Sequence, residues 1–433
     1  IGRVNSITSN TILNLVAFPA STGSCSLGKM DVPNSNDKVV YIGNPCIYSD
    51  VEVLFDPPPT TINKLEFYRH SPSQLVSNTL THGPGTTLNI KVSAVVNQPS
   101  ADGETYLWDI NNRKVKINGS LSIGINDASV TRLARVVTAG FAGDSILTIG
   151  TGLRFRCPAA SNLPAVLDMS GGAGIVSVAG AVTLDNGTGT ISGGSGGSVF
   201  NYNDTINSQT VNLIVGSGIA YNNLHLNNTN NDGAILGAVV TTANVTGNIS
   251  VQKGMLQNGG FAITGNATTF EVANSITKPT TFRMTGTATF PTGFGTYTFA
   301  ASSTTQYYQN INQNISAQTY GHLHVEPTAD GGIIHTFPAS TTIVQGNLRI
   351  GNSTNTGVIV NCAGAASAII VNANLTLNAN TTFNISASTA NPTITLGGDW
   401  FQNGVFTSTA TNNVTFNGSG GQIVNSTLLS TVP

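Results

Sequence analysis

Apolar and small polar residues alternate along most of this chain in short bursts. Val371-Asn372-Ala373-Asn374-Leu375-Thr376-Leu377-Asn378 and Asn244-Val245-Thr246-Gly247-Asn248-Ile249-Ser250-Val251 place an apolar or small side chain at every second position, the period of a strand with one buried face. The same pattern predicts strands within 38–42, 51–55, 64–68, 87–92 and 115–123. Asp56-Pro57-Pro58-Pro59 and Gly83-Pro84-Gly85 punctuate them, and proline has no place in a central strand. The stretch 128–138 carries no convincing 3.6-residue apolar stripe. Residues 171–198 are rich in Gly and Ser, but Ile175, Val176, Val178, Val182, Leu184 and Ile191 recur at strand-like spacing. Glycine there suits tight corners rather than a flexible linker. Short strands, each followed by a turn, read as all-β.

A longer period overlies the short one. Phe200, Tyr221, Leu224, His225 and Gly247-Asn248 recur as Phe299, Tyr320, Leu323, His324 and Gly346-Asn347, each pair 99 residues apart (320 − 221 = 99). Self-similarity of this kind marks a stacked architecture. The expected fold is therefore an elongated parallel β-helix, or β-solenoid, with short strands and Gly/Asn-rich corners. It divides into an N-terminal cap or strand at 1–32, a charged β-rich region at 33–165 and an uncharged repeat solenoid at 166–433. Within the last, units run over about 199–297, 298–413 and 414–433. The third unit stops soon after it opens, so the chain is expected to be a piece of a longer protein. The apolar run 11–18 is the candidate cap, needed because an open solenoid end exposes unpaired backbone groups.

Composition narrows the function classes. Only 8% of the 433 residues are charged, against roughly 25% in an average soluble domain. No window approaches the ~18 continuous apolar residues of a spanning helix. With 17 basic and 19 acidic residues the net charge is −2, which gives no electrostatic footprint for nucleic acid. Thirteen of the basic residues precede position 160, leaving Lys253, Lys278, Arg283 and Arg349 beyond it. An uncharged surface rich in Asn, Thr, Ser and Gly fits an extracellular or cell-surface location.

Candidate chemistry is sparse. Cys25 and Cys46 are close enough in sequence to form a disulfide, worth roughly 3 kcal/mol in the chain-entropy model. Cys157 and Cys362 read as buried small hydrophobes. No Cys/His cluster has metal spacing, and no nucleotide loop, GxSxG elbow or HExxH occurs, so neither metal nor cofactor is expected. His322 and His324 should share one strand face; since His225 and His324 hold the same repeat position, a structural role is simpler than a catalytic one. Asp102, Glu104 and Asp109 form the densest acidic group, in a loop-like segment around Trp108. Asp232 and Asp330, each followed by glycine, read as turns rather than calcium loops. Tyr307, Tyr308, Trp400 and Phe401 are either aromatics that stack on sugar rings or core residues.

Val-Thr-Phe-Asn-Gly at 414–418, Tyr-Asn-Asn-Leu-His-Leu at 221–226, Val-Thr-Gly-Asn-Ile-Ser-Val at 245–251 and Gly-Gly-Asp-Trp-Phe-Gln-Asn-Gly-Val-Phe at 397–406 resemble large repetitive surface proteins of Bacteroidetes-type bacteria. The opening Pro33-Asn34-Ser35-Asn36-Asp37-Lys38-Val39-Val40-Tyr41-Ile42 is similar to the first rung of such arrays. The resemblance covers 195–433 well and 33–160 loosely. It implies β-solenoid units exported by the type IX route. It also implies that Ser145 and Thr205, in Asp-Ser-Ile and Asp-Thr-Ile, are O-glycosylation sites. No sorting domain is visible in the sequence.

The expected function is a non-catalytic extracellular structural or adhesive stalk. Its partners are expected to be its own copies, end to end or side by side, and glycans or a cell surface. The alternatives are a polysaccharide lyase or hydrolase of the parallel β-helix type and a carbohydrate-binding module. Either would need acidic or basic residues from neighbouring rungs to converge.

Overall fold

The computed structural model describes residues 61–67, 78–82 and, apart from short loop stretches, 87–427; before residue 61 it describes the backbone of strands Leu13–Asn14, Cys25–Met30, Val39–Ile42 and Val51–Phe55. The chain is an all-β solenoid. Its described residues hold 43 strands and a single short 3-10 turn, Asp185–Gly187. Every strand pairing described is parallel, as expected when each strand stacks on its counterpart one turn earlier. The chain separates into two compact units, 1–225 with 242–247, and 226–241 with 248–433.

In the first unit the core is built from columns of inward side chains. Ile90, Ile117, Ile149, Val178 and Tyr202 stack in register and are all fully buried. A facing ladder stacks Leu80, Trp108, Val136, Leu167, Ile191 and Ile219 in the same way. Alternation along each strand produces this: in Thr105–Asp109 only Tyr106 and Trp108 are buried. Trp108 therefore lies in a strand, not in the loop expected around the acidic group. The Gly-rich stretch 171–198 forms strands Ile175–Val178, Ala181–Leu184 and Thr190–Ser192. Gly180 turns the chain where a Cβ would fall 1.7 Å from the Thr151 carbonyl oxygen.

In the second unit the later turns each contain three strands. Leu348–Ile350, Val358–Cys362 and Ala368–Val371 make one turn, and Leu375–Leu377, Thr381–Asn384 and Thr393–Leu396 make the next. Leu256, Phe282, Thr305, Leu323, Leu348, Leu375 and Trp400 form one inward column. Tyr320, Val344, Val371 and Leu396 form another. Two segments expected to alternate as single strands are instead broken at Asn/Gly corners: 371–378 ends one strand at Val371 and opens the next at Leu375, and 244–251 makes an isolated bridge at Val245 before its strand opens at Ile249. Successive turns are unequal in length, the step from Thr304 to its partner His322 being shorter than that from Leu348 to its partner Leu375. Either step is much shorter than the repeat offset, so one sequence period spans several turns.

Candidate functional site

Of the residues that recur at the 99-residue offset, Tyr221 and Tyr320, and Asn248 and Asn347, serve the backbone. In the first unit the Asn212 N–H donates to the Tyr202 hydroxyl (3.0 Å), and the Tyr221 hydroxyl donates to the Asn212 carbonyl (3.0 Å). The two hydroxyls lie 2.9 Å apart. Because the Tyr221 proton is committed to the carbonyl, Tyr202 donates to Tyr221, which closes a ring of three hydrogen bonds in the core. The second unit repeats it. Ser316 N–H donates to Tyr307 (2.8 Å), Tyr320 donates to the Ser316 carbonyl (2.7 Å), and the hydroxyls are 3.1 Å apart. Burial raises all four phenols, Tyr202 to about 12, so each keeps its proton.

This clamp corrects the repeat alignment. Tyr202 corresponds to Tyr307, an offset of 105 (307 − 202), whereas Tyr221 and Tyr320 keep 99. The Ser198 and Ser303 carbonyls likewise accept the backbone N–H of Asn223 and His322 at equivalent places. Phe299 instead belongs to the preceding strand, Thr296–Phe299, and resembles Phe200 only in packing against its tyrosine, at 5.2 Å and 4.9 Å between ring centres.

A second device runs along the corners. The Asn347 N–H donates to His322 Nδ1 (2.9 Å), the Asn374 N–H to Asn347 Oδ1 (3.1 Å), the Asp399 N–H to Asn374 Oδ1 (2.8 Å) and the Ile423 N–H to Asp399 Oδ1 (2.9 Å). Each corner side chain thus caps the backbone of the following turn. Gly346 packs directly on the His322 ring, where a Cβ would lie 2.5 Å from it. Accepting at Nδ1 leaves the His322 proton on Nε2.

The aromatics expected to face a ligand divide. Tyr307 is fully buried in the clamp and Trp400 is 4% exposed in the inward column, so neither presents a face to a sugar; both sit at strand positions that alternate inward. Tyr308 is half-buried under the Arg283 guanidinium, 4.6 Å from the ring centre. Thr205 is exposed beside Asp204, whose Oδ1 accepts the Ile206 and Asn207 N–H groups. Ser145 opens strand Ser145–Ile149. Cys25 lies in strand Cys25–Met30, while Cys46 falls outside the described residues, as does most of the candidate cap. Cys157 and Cys362 are buried, as expected, and burial pushes the Cys362 thiol up to about 12.

Charge converges at one place in the second unit, which sequence spacing had hidden. Arg283, Gln306, His324, Arg349, Thr376 and Phe401 occupy one outward column on successive turns. Arg283 Nε donates to Gln306 Oε1 at 2.7 Å. Arg349 pairs with Glu326, whose side chain is only 6% exposed, and His324 Nδ1 lies 3.5 Å from the same carboxylate oxygen. Burial raises Glu326 more than Arg349 and Arg283 lower it. Burial, then Arg349 and His322, bring His324 down to about 4, so its imidazole is neutral at pH 7. The carboxylate is screened and ion-paired, which leaves the outer guanidinium nitrogens and the neutral imidazoles to meet solvent. Such a column can donate hydrogen bonds to an anion.

In the first unit Arg135 pairs with Asp168, and Arg154 with Asp185 through two bonds of 2.9 and 3.0 Å, whereas the buried Arg113 guanidinium meets no hydrogen-bonding partner among the described residues. Burial pushes the Asp168 carboxyl up, but hydrogen bonds from Ser170 and Arg135 bring it below its ordinary value. No group of three or more His, Cys, Asp or Glu able to hold a metal occurs among the described residues, and no helix among them is long and apolar enough to cross a membrane. Compared with protein-family models, curated proteins and solved structures, the chain matches none of them.

Proposed function

We propose that the chain is a non-catalytic structural and adhesive stalk, exported to the surface of a bacterium of the Bacteroidetes type and presenting uncharged solenoid faces to its own copies or to glycans. The observation that carries this reading is the use of the recurring residues. The tyrosine pairs, the Asn/His corner ladder and the recurring glycines all serve backbone stacking. Repetition of a scaffold device, rather than of a reactive group, is what a load-transmitting or presenting array requires. Ion pairing of Glu326 and Asp168 supports the same reading, since a carboxylate held this way is a poor general base. Thr205 is the expected glycosylation site to test first, because it is exposed.

One observation favours the second reading, a polysaccharide-acting β-helix enzyme: Arg283, Glu326 and Arg349 come from separate turns to one face. Both readings are tested by incubating the protein with neutral and uronate-containing polysaccharides and following reducing ends and the absorbance of unsaturated products. The stalk reading expects no turnover. Turnover abolished by Arg349→Ala would replace it with the enzyme. Electron microscopy at high protein concentration tests assembly, and strictly monomeric particles would remove the self-association part of the proposal.

A further inference from the structure

A cleft of about 600 Å³ opens in the second unit between the loop around Phe290 and Pro291 and the segment Asn312 to Asn314, with Tyr297 in its wall. No charged side chain lines it. Its volume falls within the roughly 300–1,000 Å³ of small-ligand sites. The Tyr297 ring is held in place. Its hydroxyl donates to the Pro291 carbonyl at 3.0 Å, and Phe290 and Phe294 pack against it at 5.5 and 5.9 Å between ring centres. A ring fixed this way offers an apolar plate at little entropic cost.

The polar side of the cleft contains an anomaly. Both polar atoms of the Gln313 amide are screened from solvent and meet no hydrogen-bonding partner among the described residues. Behind Gln313, in register on the next turn, lies the fully buried His335, which offers the amide no hydrogen bond. Gln309, buried nearby, also leaves its Oε1 without a partner. A glutamine in this state forfeits both a donor and an acceptor. Gln313 lines the cleft, and a rotation about its outer side-chain bonds that turns the amide toward it would let a ligand with adjacent donor and acceptor groups satisfy both atoms. Two neighbouring hydroxyls on a ring supply that pair. With Tyr297 and Gln313 in one lining and no charge among its side chains, the ligand is a neutral polyol ring rather than an acid or a cation.

We propose that this cleft binds a neutral saccharide of one or two hexose units, with the apolar face of the sugar on Tyr297 and a vicinal diol on the Gln313 amide. The site goes beyond the stalk reading and is independent of it: binding without turnover satisfies both, and cleavage of a bound sugar would end the stalk reading while leaving the site.

The test is calorimetric titration of the intact chain with cellobiose, maltose and lactose, with a galacturonate disaccharide as the acidic control. At least one neutral disaccharide is expected to bind, and the acidic control to bind more weakly. Gln313→Leu should weaken binding about tenfold, the loss of one good polar contact, while leaving the melting temperature unchanged or higher, because it removes a stranded amide. A purely structural glutamine would instead lower the melting temperature on the same substitution. Asn314→Trp, at an exposed rim position, should block the cleft without touching the core. The proposal is overturned if none of the three neutral sugars binds, or if binding survives both substitutions unchanged.

Discussion

Replacing Tyr320 with phenylalanine isolates the clamp from the packing around it. The ring and its contact with Phe299 at 5.2 Å remain; only the hydroxyl is lost. That hydroxyl accepts from Tyr307 and donates to the Ser316 carbonyl, so two polar groups are stranded in a core where Tyr307 and Tyr320 are fully buried. At about 1–3 kcal/mol for each unsatisfied group, Tyr320→Phe should cost about 2–6 kcal/mol. Tyr307→Phe strands only the Ser316 N–H, because Tyr320 still reaches the carbonyl, and should cost about 1–3 kcal/mol. The double variant strands the Ser316 N–H and carbonyl but no hydroxyl. It should therefore be less destabilised than the two singles added together, by roughly 1 kcal/mol or more. Urea and thermal unfolding followed by circular dichroism give these differences, with roughly 2–4 °C per kcal/mol expected for a unit of this size. Because stacked arrays unfold in parts, hydrogen exchange across 307–320 should accompany the melts and localise the loss. A Tyr320→Phe effect below about 0.5 kcal/mol, the level of an unremarkable surface substitution, would refute the closed ring. Strict additivity of the two singles would refute it as well.

Three further outcomes test the remaining parts of the scaffold. Asn374→Ala removes the acceptor for the Asp399 N–H and should lower stability by about 1–2 kcal/mol, with exchange loosening at Asp399 more than at the preceding corner. Gly346→Ala drives a Cβ into the His322 ring and should cost about 1–3 kcal/mol, whereas Gly420→Ala, with open space around it, should be neutral in the same melt. Acid should destabilise the second unit between about pH 6.5 and pH 4. Burial holds His335 down to about 4 in the folded chain, and burial, Arg349 and His322 do the same for His324. The unfolded chain thus takes up these protons first, and stability rises with pH across that window. The contribution of His335 is at most about 3 kcal/mol, so melts of His335→Leu at pH 7 and pH 4.5 should show a shallower pH dependence than the parent chain.

The corners and the core differ in how they are written into the chain. Strict alternation, as in Thr105–Asp109, assigns inward and outward positions without further information, and Trp108 and Tyr106 go where it sends them. Asparagine is ambiguous at this level: Asn372 and Asn374 continue the alternation of 371–378, yet the chain turns there and Asn374 caps the next rung. The cost of leaving a corner N–H unpaired decides the matter, and only a stacked neighbour reveals that the N–H would otherwise be unpaired. Tyr307 shows the same limit. An isolated tyrosine in a strand reads equally as a binding surface or as core, and its partner Tyr320 lies on a different strand, beyond the short strand Gln313–Asn314.

By itself, the sequence determined the all-β character, the parallel stacking implied by self-similarity, and the scarcity of charge, because these depend on side-chain period and composition, which are local or additive. Tertiary structure alone decided the true rung length, the shifted register that matches Tyr202 with Tyr307, and the gathering of Arg283, His324, Glu326 and Arg349 from separate turns. In a solenoid, contacts run between turns rather than along the chain. Because those turns are unequal in length, no fixed spacing in the sequence marks such neighbours.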